Sequence, residues 1–217
     1  MDPLGEIIGS DSQMLAVECH RLYAAPEFGS FVRAACVGSG RSFYAVVTRA
    51  STGPFDGNRI VQAHRLAPGE LEQRKPHLTT ILRTTFEART LGWGEGSARS
   101  CGTPPAPPRL HCFVYPSEDA EVRELTKTPA FLRSLTQVVD VPLEDLLVAA
   151  IDAARQSWGG EAPVVAWGKY LARLLHSDYV TLEGVMQRLA PPAAPASSGG
   201  PRWEAGIPLS GGDPFGD

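Results

Sequence analysis

The chain has 217 residues, of which 43% are hydrophobic and 20% are charged, and its net charge is −4. This composition is typical of globular proteins, and no apolar run approaches the roughly 20 residues that a membrane span requires. The slightly acidic balance gives no overall attraction to nucleic acid. The stretch 1–12 lacks a basic region followed by an apolar one, so we predict no secretory signal and expect a cytoplasmic protein.

The four cysteines are too few to form the disulfide framework of a small secreted protein. They lie at Cys19, Cys36, Cys101 and Cys112. In a reducing compartment we expect buried thiols that pack as small hydrophobic residues. A histidine adjoins two of them, in Cys19-His20 and His111-Cys112. Because neighbouring residues of a strand point to opposite faces, neither pair predicts a metal site.

Up to about residue 58, short apolar runs alternate with turn residues, which is typical of β structure. Four strands are predicted here, at 5–10, 13–20, 31–37 and 42–50. Gly38-Ser39-Gly40-Arg41 indicates a hairpin, because glycine reaches the positive φ that tight turns need. The same string lacks the lysine and the spacing of a phosphate-binding loop. Both faces of 43–48 are partly apolar, as expected where a small barrel also packs against a neighbour.

The next part of the chain predicts less regular structure, interrupted by prolines. A short helical segment at 68–72 precedes Pro76, and Leu78, Ile81 and Leu82 then recur at helical spacing. Residues 84–93 suit a strand. The proline-rich stretch 103–108 fits neither a helix nor a central strand, so we expect an extended lead-in to a last strand at 110–115. The sequence therefore predicts a small antiparallel β-barrel over 1–116.

From Ser117 the apolar period becomes helical. Ser117 is a candidate cap for a helix through Lys127, and Thr128-Pro129 starts the next helix. After Pro142 an apolar stripe runs at i, i+3, i+4, i+7, i+8 and i+11, formed by Leu143, Leu146, Leu147, Ala150, Ile151 and Ala154. Gly159-Gly160 ends that helix.

Two more helices are predicted before the C-terminal stretch. One carries the stripe Trp167, Tyr170, Leu171, Leu174 and Leu175. The other is capped by Ser177 or Asp178, with Tyr179, Leu182, Val185, Met186 and Leu189 expected to point inward. The helical module thus spans 117–190. Residues 191–217 hold six prolines and six glycines, so we predict a disordered tail in which Trp203 and Phe215 are candidate contacts for a partner.

Motifs of catalysis are absent from the sequence. No Gly-x-Ser-x-Gly nucleophile elbow and no His-Glu-x-x-His zinc motif occur. Glu144-Asp145 lie in the first turn of a predicted helix, where carboxylates favour the positive end of the helix dipole, so an acid–base pair is the weaker interpretation. We therefore expect no catalytic residues, no cofactor and no metal, and interpret the protein as a non-enzyme.

Basic residues recur between 65 and 89. They are Arg65, Arg74, Lys75, Arg83 and Arg89. Such a set forms a candidate face for phosphate contacts or for a protein partner, although a solvated surface is the simpler interpretation. Phe86 and Trp93 are the aromatic residues nearest in sequence, which is poor support for a base-stacking platform.

Several strings in the first half resemble the HAS-barrel domain, a small barrel shared by HerA-type ATPases and the catalytic subunits of rotary ATP synthases. They are Gly5-Glu6-Ile7-Ile8-Gly9-Ser10, Phe28-Gly29-Ser30-Phe31-Val32, Phe43-Tyr44-Ala45-Val46-Val47 and the spaced set His64-Arg65-Leu66, Leu71, Gln73 and Pro76. The pattern is most similar to stand-alone HAS-barrel proteins of cyanobacterial type, in which a helical region follows the barrel. The resemblance implies an assembly or adaptor role without ATPase activity, since helices stand where a P-loop domain would be.

The sequence thus predicts an α+β protein with an N-terminal barrel, a C-terminal helical module and a tail. Its predicted function is non-enzymatic protein binding or assembly, with a hexameric HerA-like ATPase or a DNA-processing complex as the implied partner. The alternative is nucleic-acid binding through the basic face of 65–89. No membrane association is expected.

Overall fold

The structure, a computed structural model, describes residues 2–36, 40–56, 61–67, 70, 73–74, 76–95, 98–160 and 162–189. Within these residues, seven strands precede the five α-helices of the C-terminal half. The strands are β1 (Gly5–Ser10), β2 (Met14–Cys19), β3 (Phe31–Cys36), β4 (Arg41–Pro54), β5 (Leu82–Glu95), β6 (Ala98–Cys101) and β7 (Phe113–Pro116). The helices are α1 (Asp119–Thr126), α2 (Ala130–Leu135), α3 (Leu143–Trp158), α4 (Val164–Leu174) and α5 (Tyr179–Leu189).

Six of the strands close into an antiparallel barrel. The strand order is β2-β1-β7-β3-β4-β5, and β2 also pairs with β5, which joins the two ends of the sheet. β6 pairs with β5 outside this ring. The last strand ends at Pro116 and the first helix begins at Asp119. The predicted α+β class, with a small barrel followed by helices, is confirmed.

Alternation along the strands fills the barrel. Because side chains of a strand point alternately to its two faces, every second residue enters the interior. The buried interior cluster consists of Ile7, Leu15, Val17, Val32, Ala34, Cys36, Phe43, Ala45, Val47, Phe86, Ala88, Cys112 and Val114. The predicted two-sided burial of β4 is explained by the helices, since Val46 on its outer face belongs to the helical core together with Phe31 and Leu91.

The helices bury the predicted apolar stripes. In α3, Leu146, Leu147, Ala150, Ile151 and Ala154 are all buried. The helix ends at Gly159, whose φ of 60° is the left-handed conformation that glycine favours. The residue at the N-cap of α1 is Glu118 and not Ser117, whose buried hydroxyl has no hydrogen-bond partner within the described residues.

Three other expectations differ from the structure. Tyr179 is 69% exposed and Met186 is also exposed, although both were predicted to face inward on α5. At 3.6 residues per turn these two lie on the flank of the arc formed by Leu182, Val185 and Leu189, so the packed face is narrower than the apolar stripe. Leu82 begins β5 after a 3₁₀ helix over Pro76–Ile81, and the edge strand β6 was not predicted. Most of the predicted 68–72 helix and part of the 38–41 turn lie outside the described residues.

Two cysteines form a disulfide, contrary to the expected free thiols. Cys36 and Cys112 are bonded, with Cα atoms 4.9 Å apart and a sequence separation of 76. The antiparallel register of β3 and β7 pairs Ala35 with Phe113, which places the next residues, Cys36 and Cys112, side by side inside the barrel. Cys19 and Cys101 are free.

The turn before β3 contacts the backbone of α3. Gly29 has a φ of +81°, and a Cβ atom there would lie 2.7 Å from the carbonyl carbon of Ala149 and 2.9 Å from the amide nitrogen of Ala150. The Gly29 amide donates to the carbonyl of Val47 at 2.9 Å, which fixes the turn on β4. The barrel and α3 therefore approach as closely as a residue without a side chain allows.

Gly29→Ala is expected to destabilise the fold by about 3 kcal/mol or more, since a steric clash adds to the roughly 1 kcal/mol cost of a left-handed alanine. The control is Gly159→Ala, because Gly159 has a φ of +60° but nothing within 4 Å of its Cβ position. Denaturant unfolding measures both variants. Equal losses of stability would contradict the close approach.

Reduction of the disulfide is expected to lower the free energy of unfolding by about 2–5 kcal/mol, since the bond closes a long loop of the unfolded chain. The Cys36→Ser/Cys112→Ser variant should be insensitive to reductant, whereas Cys19→Ser/Cys101→Ser should respond like the parent protein. Denaturant titration with and without dithiothreitol measures this. Four alkylatable thiols in the unfolded, unreduced protein would show that the bond does not form.

Candidate partner-binding site

An exposed apolar patch lies on the outer face of β1 and β7. We call it the β1–β7 wall and define it by Ile8, Leu110 and Phe113 with the charged group Glu6. The two strands pair with Glu6 opposite Phe113, and Ile8 follows on the same outward face. Phe113 is 39% exposed, and Ile8 and Leu110 are also exposed. The wall therefore offers apolar surface to solvent beside a carboxylate.

A β-bulge presents Ile8 on this wall. The β1–β2 register passes from Ile7 opposite Val17 to Gly9 opposite Ala16, so Ile8 has no partner on β2. Bulges of this kind re-aim a side chain and are frequent at functional edges. A large apolar residue held outward by its own backbone indicates a contact surface.

Two imidazoles hold the carboxylate of Glu6. His20 Nε2 lies 3.3 Å from Oε1, and His111 Nδ1 lies 3.2 Å from Oε2. The ring of His20 also meets the ring of Phe113 edge-on, with centroids 5.8 Å apart. Glu6 on β1 is thus tied to the end of β2 and to the residues before β7, which orders the centre of the wall.

A groove adjoins the wall on the side of His20. Its volume is about 420 Å³, and it is lined by Asp2, Pro3, Leu4, His20, Arg21 and Ala24. A concavity next to exposed apolar residues is the arrangement in which protein interfaces place their anchoring side chains. The wall and the groove together form the candidate partner-binding site.

The structure describes four of the five basic residues of the candidate face. Arg74 pairs with Glu70 at 2.9 Å, and Arg83 pairs with Glu18 at 3.4 Å and covers the ring of Phe55. Arg65 is exposed. Arg89 is only 6% exposed and lies beneath α2. Lys75, and the tail residues Trp203 and Phe215, lie outside the described residues.

A polar cluster joins the barrel to α1. Glu121 accepts a hydrogen bond from the hydroxyl of Tyr44 at 3.2 Å and pairs with Arg33 at 3.5 Å and Arg99 at 3.7 Å. The guanidinium of Arg99 covers the Tyr44 ring at 5.2 Å. Burial, together with the charge of Glu121, raises the pKa of Tyr44 to about 12. The cluster is a buried structural joint.

The free thiols are not activated as nucleophiles. Burial, with the charge of Glu18, raises the pKa of Cys19 to about 11, and burial also raises the pKa of Cys101. Reactive cysteines have a lowered pKa, so both thiols stay protonated near neutral pH. The described residues contain no group of three or more His, Cys, Asp or Glu side chains placed to hold a metal ion. Within the same residues, no helix is long and apolar enough to cross a bilayer.

The wall is not apparent in the sequence. Ile8 lies in a strand that was predicted correctly, and His20 and His111 were considered only as metal ligands. The pairing of β1 with β7, whose contact residues are more than 100 positions apart, brings these groups together. Comparisons with protein-family models and with curated proteins return no match for this chain, so the HAS-barrel resemblance stays a prediction.

Tyr44→Phe is expected to lower stability by about 1.5–3 kcal/mol near neutral pH, the contribution of a hydrogen bond to a charged acceptor. Above pH 10 the unfolded chain loses a phenol proton that folded Tyr44 keeps until about pH 12, so parent stability falls with rising pH. Tyr44→Phe has no phenol at this position, so its stability lacks this part of the decrease with rising pH. Denaturant unfolding across this pH range measures the difference.

The matched control is Tyr179→Phe, which removes an exposed hydroxyl from α5. It should leave the pH dependence of the parent protein unchanged. The same steep loss of stability in Tyr44→Phe as in the parent would show that the Tyr44–Glu121 contact does not form.

Proposed function

We propose that this protein is a non-enzymatic binding module that docks on a protein partner through the β1–β7 wall. The observation that carries the proposal is the exposure of Ile8, Leu110 and Phe113, together with the pairing of Phe113 opposite Glu6, whose carboxylate two histidines hold. Aromatic residues are enriched at interfaces, where a buried apolar centre is surrounded by polar groups. The wall has this composition before any partner is bound.

The position of the helices supports the same surface. They pack mainly on β3, β5 and β6, with α3 on β3, α2 on β5 and α1 on β6. The wall of β1 and β7 thus lies on the part of the barrel that the helices leave accessible. In this proposal the helical module braces the barrel from one side while the partner binds the other.

The HAS-barrel resemblance supplies the class of partner. A barrel of that family implies docking on a hexameric HerA-like ATPase or on a DNA-processing complex, and we propose such an assembly as the partner. The confirmed six-stranded barrel is compatible with this family and does not by itself identify it. An adaptor role follows from the same resemblance.

We also propose a cytoplasmic location, and the disulfide provides its test. Disulfides persist in oxidising compartments and are rare in the cytosol, where glutathione and thioredoxin keep thiols reduced. Cys36 and Cys112 are both buried inside the barrel, which limits the access of reductants. Trapping thiols in intact cells before lysis shows whether this pair is oxidised where the protein resides.

The contacts do not favour nucleic-acid binding as a second function. Arg74 and Arg83 are engaged by carboxylates, and Arg89 is buried. Binding through phosphate contacts would weaken steeply with added salt. A salt-dependent association with DNA in a titration would restore this alternative.

Phe113→Glu is expected to weaken partner binding, because it places a second charge beside Glu6 in the apolar wall. The loss should be about thirtyfold or more in affinity, as for an interface hot spot. The tagged full chain is used to capture partners from the source cells, and candidates are identified by mass spectrometry. Each candidate is then purified and mixed with the chain, and the molar mass of the complex is measured by light scattering.

Val180→Glu is the matched control, since Val180 is exposed on α5, away from the barrel wall. It should bind the partner like the parent protein. Loss of the complex in Val180→Glu but not in Phe113→Glu would place docking on the helices and contradict the wall. Absence of any reconstituted complex would overturn the binding function.

A further inference from the structure

Arg89 is an arginine buried between the barrel and the helices. It lies on β5 and is 6% exposed. Its Nη1 donates to Gln13 Oε1 at 2.8 Å, and its Nη2 donates to Gln137 Oε1 at 2.7 Å. Gln13 belongs to the turn between β1 and β2, and Gln137 follows α2. The guanidinium therefore bridges two elements through neutral amides.

The positive charge of Arg89 has no carboxylate partner in the described part of the chain. The ion pairs there do not include Arg89, and its buried Nε donates to no acceptor. Asp11 is near enough to act on it electrostatically, but its Oδ1 accepts the amides of Gln13 and Met14 at 2.6 and 2.8 Å. Burial of an unpaired charge is costly, and a neutral side chain could bridge two amides without that cost.

A pocket of about 270 Å³ opens beside Arg89. A second arginine, Arg133 in the last turn of α2, also lines it and is exposed. The hydroxyl residues Ser12, Thr103 and Ser134 contribute to the lining, and no carboxylate is among the described lining residues. Thr90 lines the pocket too, and its buried Oγ1 has no partner within the described chain. Two cations thus share a cavity without a negative charge.

The glutamines add donors to this cavity. Because Gln13 and Gln137 direct their oxygens to Arg89, their amide NH₂ groups remain available to a ligand. Guanidinium groups bind carboxylate and phosphate oxygens through two parallel hydrogen bonds. The volume lies just below the roughly 300–1,000 Å³ of typical small-molecule sites, which favours a compact ligand.

We propose that this pocket binds a small oxyanion, a phosphate or carboxylate group carried by a compact metabolite, between Arg89 and Arg133. Arg89 is the buried, positioned cation, and Arg133 closes on the ligand from the exposed edge of the pocket. The site is separate from the β1–β7 wall and does not depend on the docking function.

Calorimetric titration of the full chain with inorganic phosphate and with malonate tests the proposal, using sodium chloride of equal ionic strength as the reference. We expect saturable binding of at least one of the two anions and none of chloride. Binding of phosphate alone or malonate alone assigns the oxyanion class, and each result supports the site. Absence of saturable binding for both overturns it.

Arg133→Gln is the principal variant, because an exposed arginine can be replaced without loss of the fold. It should weaken anion binding about tenfold or more, the effect of one charge-assisted hydrogen bond. Arg173→Gln removes another exposed charge, from α4, and its affinity should stay within about twofold of the parent value. Equal affinities of these two variants would show nonspecific attraction and overturn the site.

Arg89→Lys retains the charge but loses the planar fork, so it should also weaken binding by about tenfold or more. Its thermal unfolding shows whether the variant is folded at the temperature of the titration. Parent-like affinity in folded Arg89→Lys would contradict the role of the buried guanidinium. If the variant does not fold, the Arg133→Gln comparison decides the proposal.

Discussion

The pairing of β2 with β5 is the constraint on which the rest of the molecule depends. It joins Met14 to Arg89 at one end and Glu18 to Thr85 at the other, and so converts a sheet with two edges into a ring. An unpaired edge would expose a row of amides and carbonyls, whereas closure satisfies them and defines an inside and an outside. The apolar residues that alternate along each strand fill the interior. The outer face is left to make contact with the helices, with solvent or with a partner.

The side of the barrel that carries the helices combines apolar packing with a few specific contacts. Phe31, Val46 and Leu91 continue the helical core onto the barrel surface. Gly29 sets how closely α3 approaches, and the buried Tyr44–Glu121 contact holds α1 at the edge of the same surface. Apolar area supplies most of the stabilisation, while steric fit and buried polar groups select one arrangement of the helices.

Much of this fold can be predicted from local sequence pattern, and the features that cannot be predicted in this way have physical causes. Strands such as β1 and helices such as α3 are specified by periodicity and by Gly159, signals that reside within each segment. The Cys36–Cys112 bond depends on which strands become neighbours, and β6, the short segment Ala98–Cys101, has too few apolar residues to show a pattern. The candidate wall cannot be predicted for the first of these reasons, because Glu6 and His111 come into contact only after β1 pairs with β7.

The basic residues show why a face is harder to predict than a strand. Arg83 and Arg89 share the outward side of β5, about 20 Å apart at 3.3 Å per residue. Arg83 pairs with Glu18 at the surface. Arg89 is covered by the helical module and is therefore a buried cation.

The β1–β2 hairpin links this cation to the β1–β7 wall. Its turn supplies Gln13 to Arg89, and its open end supplies Glu6 and His20 to the wall. A single hairpin, held in place by closure on β5, therefore contributes to both surfaces on which we propose recognition. The register between β2 and β5 fixes both contributions at once, since a slip of one residue would reverse the face of every side chain on β2.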